Sequence, residues 1–130
     1  MIKYAYTIMY VQDVVESLEF YEKAMDFERK FLTEEHDYGE IRSGETIIAF
    51  ASKQLANSNL SNGFMVATQS GKSFPIEMAF TTDDVQETVD KLLAHGGKLE
   101  EAPKAKPWGQ KVAYVRDING FLLEICTPMG

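Results

Sequence analysis

Cysteine is nearly missing: Cys126 stands alone in 130 residues. No disulfide can therefore close within the chain, and a reducing compartment fits best. Long apolar runs are missing too. No stretch approaches the roughly 20 residues that span a bilayer, and the opening MIKYAYTIMY lacks both an uninterrupted apolar core and a small-residue cleavage site. Neither a signal peptide nor a membrane anchor is expected, and the expected location is cytoplasmic. Basic residues are outnumbered, 13 Lys and Arg against 20 Asp and Glu, for a net charge of -7. A surface of that sign repels phosphate backbones and anionic lipid, so nucleic acid and membranes are not expected partners. There is no glycine-rich phosphate loop, no C-x-x-C pair and no H-E-x-x-H. His36 and His95 fall in a loop and at a helix end, where solvated surface is the ordinary reading.

What is present is an ordinary globular composition, 45% hydrophobic and 25% charged. The length suffices to bury a real core. Cys126 lies in the apolar run Leu122-Leu123-Glu124-Ile125-Cys126, which reads as a place for a small buried hydrophobe. Self-similarity is the strongest signal. Asp13-Val14-Val15-Glu16-Ser17 recurs as Asp84-Val85-Gln86-Glu87-Thr88, each copy after an alternating strand-like run, Tyr6 to Val11 and Glu77 to Thr82. Each Asp can accept from first-turn amides and each Glu can reach back, the pattern of a capping box. Val14, Leu18, Tyr21 and Met25 then share one helix face, as do Val85, Val89, Leu92 and Leu93. The second helix stops at Gly96-Gly97; the first ends near Asp26.

Strands follow each helix. The first copy predicts Phe27 to Leu32, Tyr38 to Arg42 and Thr46 to Ala51, with a turn at Ser43-Gly44. The second predicts a short strand near Lys98, a loop from Pro103 to Trp108, then Lys111 to Arg116 and Phe121 to Thr127. Each copy is β-α-β-β-β, an α+β arrangement with module one over about 1–51 and module two over about 75–130. The intervening Ser52 to Pro75 is rich in Ser, Asn and Gly and reads as a connector with little regular structure.

Two motifs carry a family resemblance. YVQDVVESLEFYEKAM resembles the opening of glyoxalase-like modules, with Val11, Asp13, Phe20 and Tyr21 at the matching places; PWGQKVAYVRDINGFLLEICTP resembles their ending, with its D-x-x-G turn and a last strand bearing L-E. Together, in order and on a repeat, they resemble the glyoxalase/bleomycin-resistance/extradiol dioxygenase (vicinal oxygen chelate) superfamily. The resemblance implies tandem modules forming a curved, open sheet around a pocket, and often a homodimer.

It also implies where chemistry sits. Family enzymes commonly hold a divalent metal through first- and last-strand side chains, and the metal polarises substrate oxygens. Carried over by position, these are Tyr6, Glu77, Glu124 and, allowing one extra residue in the second hairpin, Ala49; without that gap the last is Ile48. Neither Ala49 nor Ile48 can bind a metal. The remaining Tyr/Glu/Glu oxygen set suits at most a loosely held Mg or Mn and is a poor match for tight Zn or Ni. Tight cofactor binding is not expected.

Glu77 and Glu124 are the candidate catalytic residues. If they converge, they should share a proton and work as acid and base, or receive a cationic or hydrogen-bond-donating ligand. Either glutamate could instead point outward from its strand. Tyr6, Phe50, Trp108, Gln110 and Tyr114 are the candidate substrate-binding residues, with Tyr10 and Tyr38 as further aromatic wall. Trp108 and Gln110 belong to a loop stiffened by Pro107 and freed by Gly109. Three functions compete: a lyase- or isomerase-like enzyme with a degenerate metal site, a metal-free protein that sequesters a small molecule, and a subunit that uses the fold only for association.

Overall fold

Two aspartates set the frame. Asp13, with extended backbone, accepts from the Glu16 amide at 3.0 Å and starts a helix at Val14; Asp84 accepts from the Glu87 amide at 3.0 Å and starts another at Val85. Each contact satisfies one of the amides that a helix leaves unpaired at its start. The computed structural model describes residues 1–129. Its elements are β1 (Thr7–Val11), α1 (Val14–Met25), β2 (Glu28–Leu32), β3 (Tyr38–Ser43), β4 (Thr46–Ser52), α2 (Lys53–Asn59), β5 (Met78–Thr81), α3 (Val85–Ala94), β6 (Lys98–Ala105), β7 (Lys111–Arg116) and β8 (Leu122–Cys126).

The chain divides into two compact units, Met1–Val66 and the residues from Ala67 on. Each holds one β-α-β-β-β module and one open four-stranded sheet, ordered β1-β4-β3-β2 in the first and β5-β8-β7-β6 in the second. In each sheet the first strand runs parallel to the last, and the other pairs are antiparallel.

In the first unit α1 lies on one face of the sheet. Val14, Leu18 and Tyr21 are buried there, and Tyr21 meets the ring of Phe50 at 5.5 Å. Burying a side chain such as Leu18 contributes roughly 1.5–3 kcal/mol. Gly39 lets α1 approach, since a Cβ there would stand 2.7 Å from a Leu18 methyl. The helix ends at Asp26, whose φ of 57° supplies the left-handed cap without glycine.

In the second unit Val85, Val89 and Leu92 of α3 are buried with Val115, Leu123 and Ile125. Leu93, predicted on the same face, is exposed instead: one residue past Leu92 it has rotated out of the stripe. Gly96, with φ 108°, turns the chain out of α3, and the Gly97 amide donates to Leu92 O at 2.8 Å.

Two other expectations need correction. The connector carries a helix, α2, capped by the Ser52 hydroxyl on the Leu55 amide at 3.1 Å. The strand at Lys98 runs to Ala105, through residues expected to start a loop, because two irregularities let it follow β7 further.

Candidate functional site

Strand alternation sends neighbouring residues to opposite faces, so contacts with the helices fix both faces. Leu123 and Ile125 are fully buried, which turns Glu124 between them to the helix-free face of the second sheet. There it stands in a cross-strand row with Ala79 and Tyr114, and Cys126 shares its face two residues on.

Four groups meet at this place. The Tyr114 hydroxyl donates to Glu124 at 3.0 Å, and the Glu77 carboxyl stands beside that of Glu124. The Cys126 thiol also reaches Glu124, and its sulfur lies 3.7 Å from Phe80 O. Partial desolvation, then the hydrogen bond and negative charge of Glu124, raise the Glu77 pKa. Burial alone would raise Glu124 as well. The hydrogen bonds from Glu77, Cys126 and Tyr114, with the charge of Lys106, outweigh it and leave Glu124 lowered. Glu77 thus holds its proton more tightly than an ordinary glutamate, and Glu124 less tightly. Burial and the same carboxylate push Tyr114 up to about 12 and Cys126 up to about 11, which keeps the phenol neutral and the thiol unreactive.

The first sheet carries a different polar set on its own helix-free face. Gly39 and Phe50 face α1, so Tyr38, Glu40 and Ala49 face away. Ile8, Ala49 and Glu40 form the row that matches Ala79, Glu124 and Tyr114. Ile8 and Ala79 stand at the same distance before their capping aspartates, so Ala49, not Ile48, is the counterpart of Glu124, and Tyr6 the counterpart of Glu77. The buried Glu40 accepts from Lys30 Nζ at 3.2 Å and from the Tyr38 hydroxyl at 2.6 Å. Tyr6 lies near enough to Tyr38 to add a little to the rise in its pKa. Burial first, then Glu40, raises the Tyr38 pKa far above the ordinary phenol value.

Glu40 and Lys30 were absent from the sequence-derived candidates. The row opposite Ala49 would have pointed to Glu40 had the hairpin register been known.

The other candidates divide. Phe50 is fully buried against Tyr21 of α1, so the alternation that frees Ala49 takes Phe50 out of the ligand-facing set. Trp108 is 61% exposed in the turn before β7. Its indole Nε1 donates to Gln110 Oε1 at 2.7 Å, and Gln110 Nε2 donates to Thr127 O at 2.7 Å. His36 and His95 are exposed. The positions that would hold a metal do not fit one: Ala49 has no donor atom, Tyr6 offers only a phenol, and Glu124 already accepts from Tyr114 with Glu77 beside it. Among the described residues, no group of three or more His, Cys, Asp or Glu gathers in a way that could hold a metal ion.

The uncharacterized protein YraH of Bacillus subtilis (strain 168) is 30% identical over 122 residues, covering 88% of this chain and 90% of that protein. The hypothetical protein SA1046 from S. aureus shares the fold at a TM-score of 0.80 with 21% identity, over 98% of this chain and 95% of that one. A glyoxalase-related enzyme from Fulvimarina pelagi shares it at a TM-score of 0.80 with 18% identity, over 98% and 89%. The sequence pattern of the Glyoxalase/Bleomycin resistance protein/Dioxygenase superfamily matches residues 3–125. With that match over nearly its whole length, the chain belongs to this superfamily.

Proposed function

We propose that the protein binds a small polar molecule at the helix-free face of its second sheet, and that the Glu77–Glu124 pair exchanges a proton with it in a lyase- or isomerase-like reaction. The observation that carries this reading is the pair itself: two neighbouring carboxyls whose surroundings raise the pKa of Glu77 and lower that of Glu124. Such a split assigns an acid and a base within one site. Tyr114 holds the base in place, and the turn bearing Trp108 and Gln110 stands ready as a wall. A loosely held Mg or Mn ion is the most the oxygen donors would accept, and no step here needs one.

A second reading, metal-free sequestration, has its own support. Glu77 is exposed, which water screens, and the fourth ligand position is an alanine. The homodimer implied by the resemblance is part of the proposal for either function, and sedimentation velocity tests it.

Small molecules are screened by Trp108 emission and thermal shift on the wild-type protein. Hits are then repeated on Glu77→Gln and Glu124→Gln. The expected result is a ligand whose affinity falls in both variants while the fold survives, because glutamine fills the same volume. Turnover of that ligand by NMR, lost in both variants, favours the enzyme; binding without turnover favours sequestration. A robust ligand indifferent to both substitutions would return the two glutamates to ordinary strand residues.

A further inference from the structure

The chain carries four asparagines, Asn57, Asn59, Asn62 and Asn119, and two of them stand directly before glycine, at Asn62-Gly63 and Asn119-Gly120. That pairing has a chemistry of its own. The backbone nitrogen of the following residue can attack the carbonyl carbon of the asparagine side chain. Glycine, with no Cβ, leaves the approach uncrowded.

The fold builds the same turn at both places. The Gly63 amide donates to Leu60 O at 3.0 Å, and the Gly120 amide donates to Asp117 O at 3.0 Å. Both glycines are left-handed, with φ of 71° and 100°. The turns match, so only their surroundings distinguish them.

At Asn119 the turn is clamped. Gly120 is buried, and a Cβ there would stand 2.2 Å from the Thr68 backbone. Its carbonyl accepts from Arg116 Nη1 at 2.9 Å, and Asp117 Oδ1 accepts from the Asn119 and Phe121 amides, each at 2.9 Å. Ring closure needs the side chain to swing against the next nitrogen, and these contacts oppose that until the turn opens. At Asn62 the surroundings are open. Ser61, Asn62 and Gly63 are exposed, and a Cβ at Gly63 would meet nothing within 4 Å.

We propose that Asn62 is a modification site, where the exposed turn after α2 deamidates spontaneously while the matching turn at Asn119 is protected, and that the product loosens α2. The Gly63 nitrogen gives its proton to hydroxide and bonds to Asn62 Cγ. The bond from Cγ to the side-chain nitrogen breaks, and ammonia leaves with a proton taken from water. Water then opens the cyclic imide at either carbonyl, giving aspartate or isoaspartate, with no oxidation or reduction. The new carboxylate lies just past the C-terminal end of α2, where a helix already presents negative charge. Isoaspartate also adds a backbone carbon, which displaces the Gly63 amide from Leu60 O and disturbs Phe64, whose ring meets Tyr10 at 4.8 Å. The site is independent of the Glu77–Glu124 pair.

The test is peptide mapping by mass spectrometry after the full chain has aged at mildly alkaline pH. Deamidation at Asn62 should outpace that at Asn119 by about tenfold or more, because Asn119 waits on local opening. Arg116→Lys, which weakens the clamp, should raise the rate at Asn119 and leave Asn62 unchanged, with melting curves confirming that the variant folds. Amide exchange over α2 should quicken about two- to fivefold in Asn62→Asp, the worth of one charge at a helix end. Aged Asn62→Gln should keep the exchange of the fresh protein. Equal rates at the two asparagines, or an Asn62 that stays intact while a peptide of residues 60–65 deamidates, would overturn the site. Unchanged α2 exchange in both Asn62→Asp and the aged wild type would overturn the loosening.

Discussion

Glu77 and Glu124 depart from ordinary glutamates in opposite directions, and the signs fix a pH dependence. The raised Glu77 contributes stability fully below the ordinary carboxyl range, and loses it as pH rises through its raised value. The lowered Glu124 contributes above the ordinary range, and loses it as pH falls through its lowered value. The pair therefore stabilises most in the window between the two. Glu77→Gln keeps a donor toward Glu124 but has nothing to ionise. Its melting temperature relative to the wild type should rise as pH passes upward through that window, in melts at a series of pH values. A constant difference would mean that the carboxyls titrate independently. Two glycines offer a second contrast at this scale. At Gly120, φ is 100° and a Cβ would stand 2.2 Å from Thr68 backbone, whereas at Gly39 it meets the mobile end of Leu18 at 2.7 Å. Gly120→Ala should cost about 3 kcal/mol, and Gly39→Ala about 1 kcal/mol, by denaturant unfolding.

The elements depend on contacts of very different reach, and this decides what the sequence discloses. Asp13 and Asp84 act within one turn. Replacing either by Ala should remove about 1 kcal/mol, read as a lower denaturation midpoint. Such local devices made both modules legible from the repeat alone. Arg116 acts across the chain. It is buried, donates to Glu100, and also donates to the carbonyls of Thr68, Gly71 and Gly120, fastening the stretch before β5 to the β7–β8 turn. Arg116→Lys keeps the charge but loses the planar fork that reaches several carbonyls. Amide exchange over residues 67–72 should then accelerate while α3 stays protected; unchanged exchange would leave Arg116 a packing residue only. No spacing in the sequence announces that clamp, nor the Lys30–Glu40 contact, because each needs a cross-strand register. In β2 that register shifts between Arg29 and Phe31. Glu124 was legible because it falls in the L-E pattern that the family resemblance places on the last strand. The misplacement of Phe50 was avoidable: once Ala49 is assigned to the helix-free face, alternation sends Phe50 to the helix.

At the scale of the whole molecule, two units of one architecture have diverged at the residues that matter most. The residue just ahead of the first strand is Tyr6 in one and Glu77 in the other, and the last-strand position is Ala49 in one and Glu124 in the other. A metal centre drawing on all four would need donors free to turn toward it. Ala49 has none, Tyr6 offers only a phenol, and Glu124 already accepts from Tyr114 with Glu77 beside it. A phenol and two carboxylates are a poor donor set for Zn or Ni, which favour nitrogen and sulfur. Protein purified from medium supplemented with Mn and Ni should therefore carry no stoichiometric Zn or Ni by elemental analysis. Added Mg or Mn should shift its melting temperature only at millimolar concentration, if at all, because carboxylates that keep water around the ion hold it weakly. Full occupancy by Zn or Ni that disappears in Glu124→Gln would show that Glu124 turns away from Tyr114 to take a metal. In that case the acid and base assigned to this face would have to be exchanged for a metal-bound water.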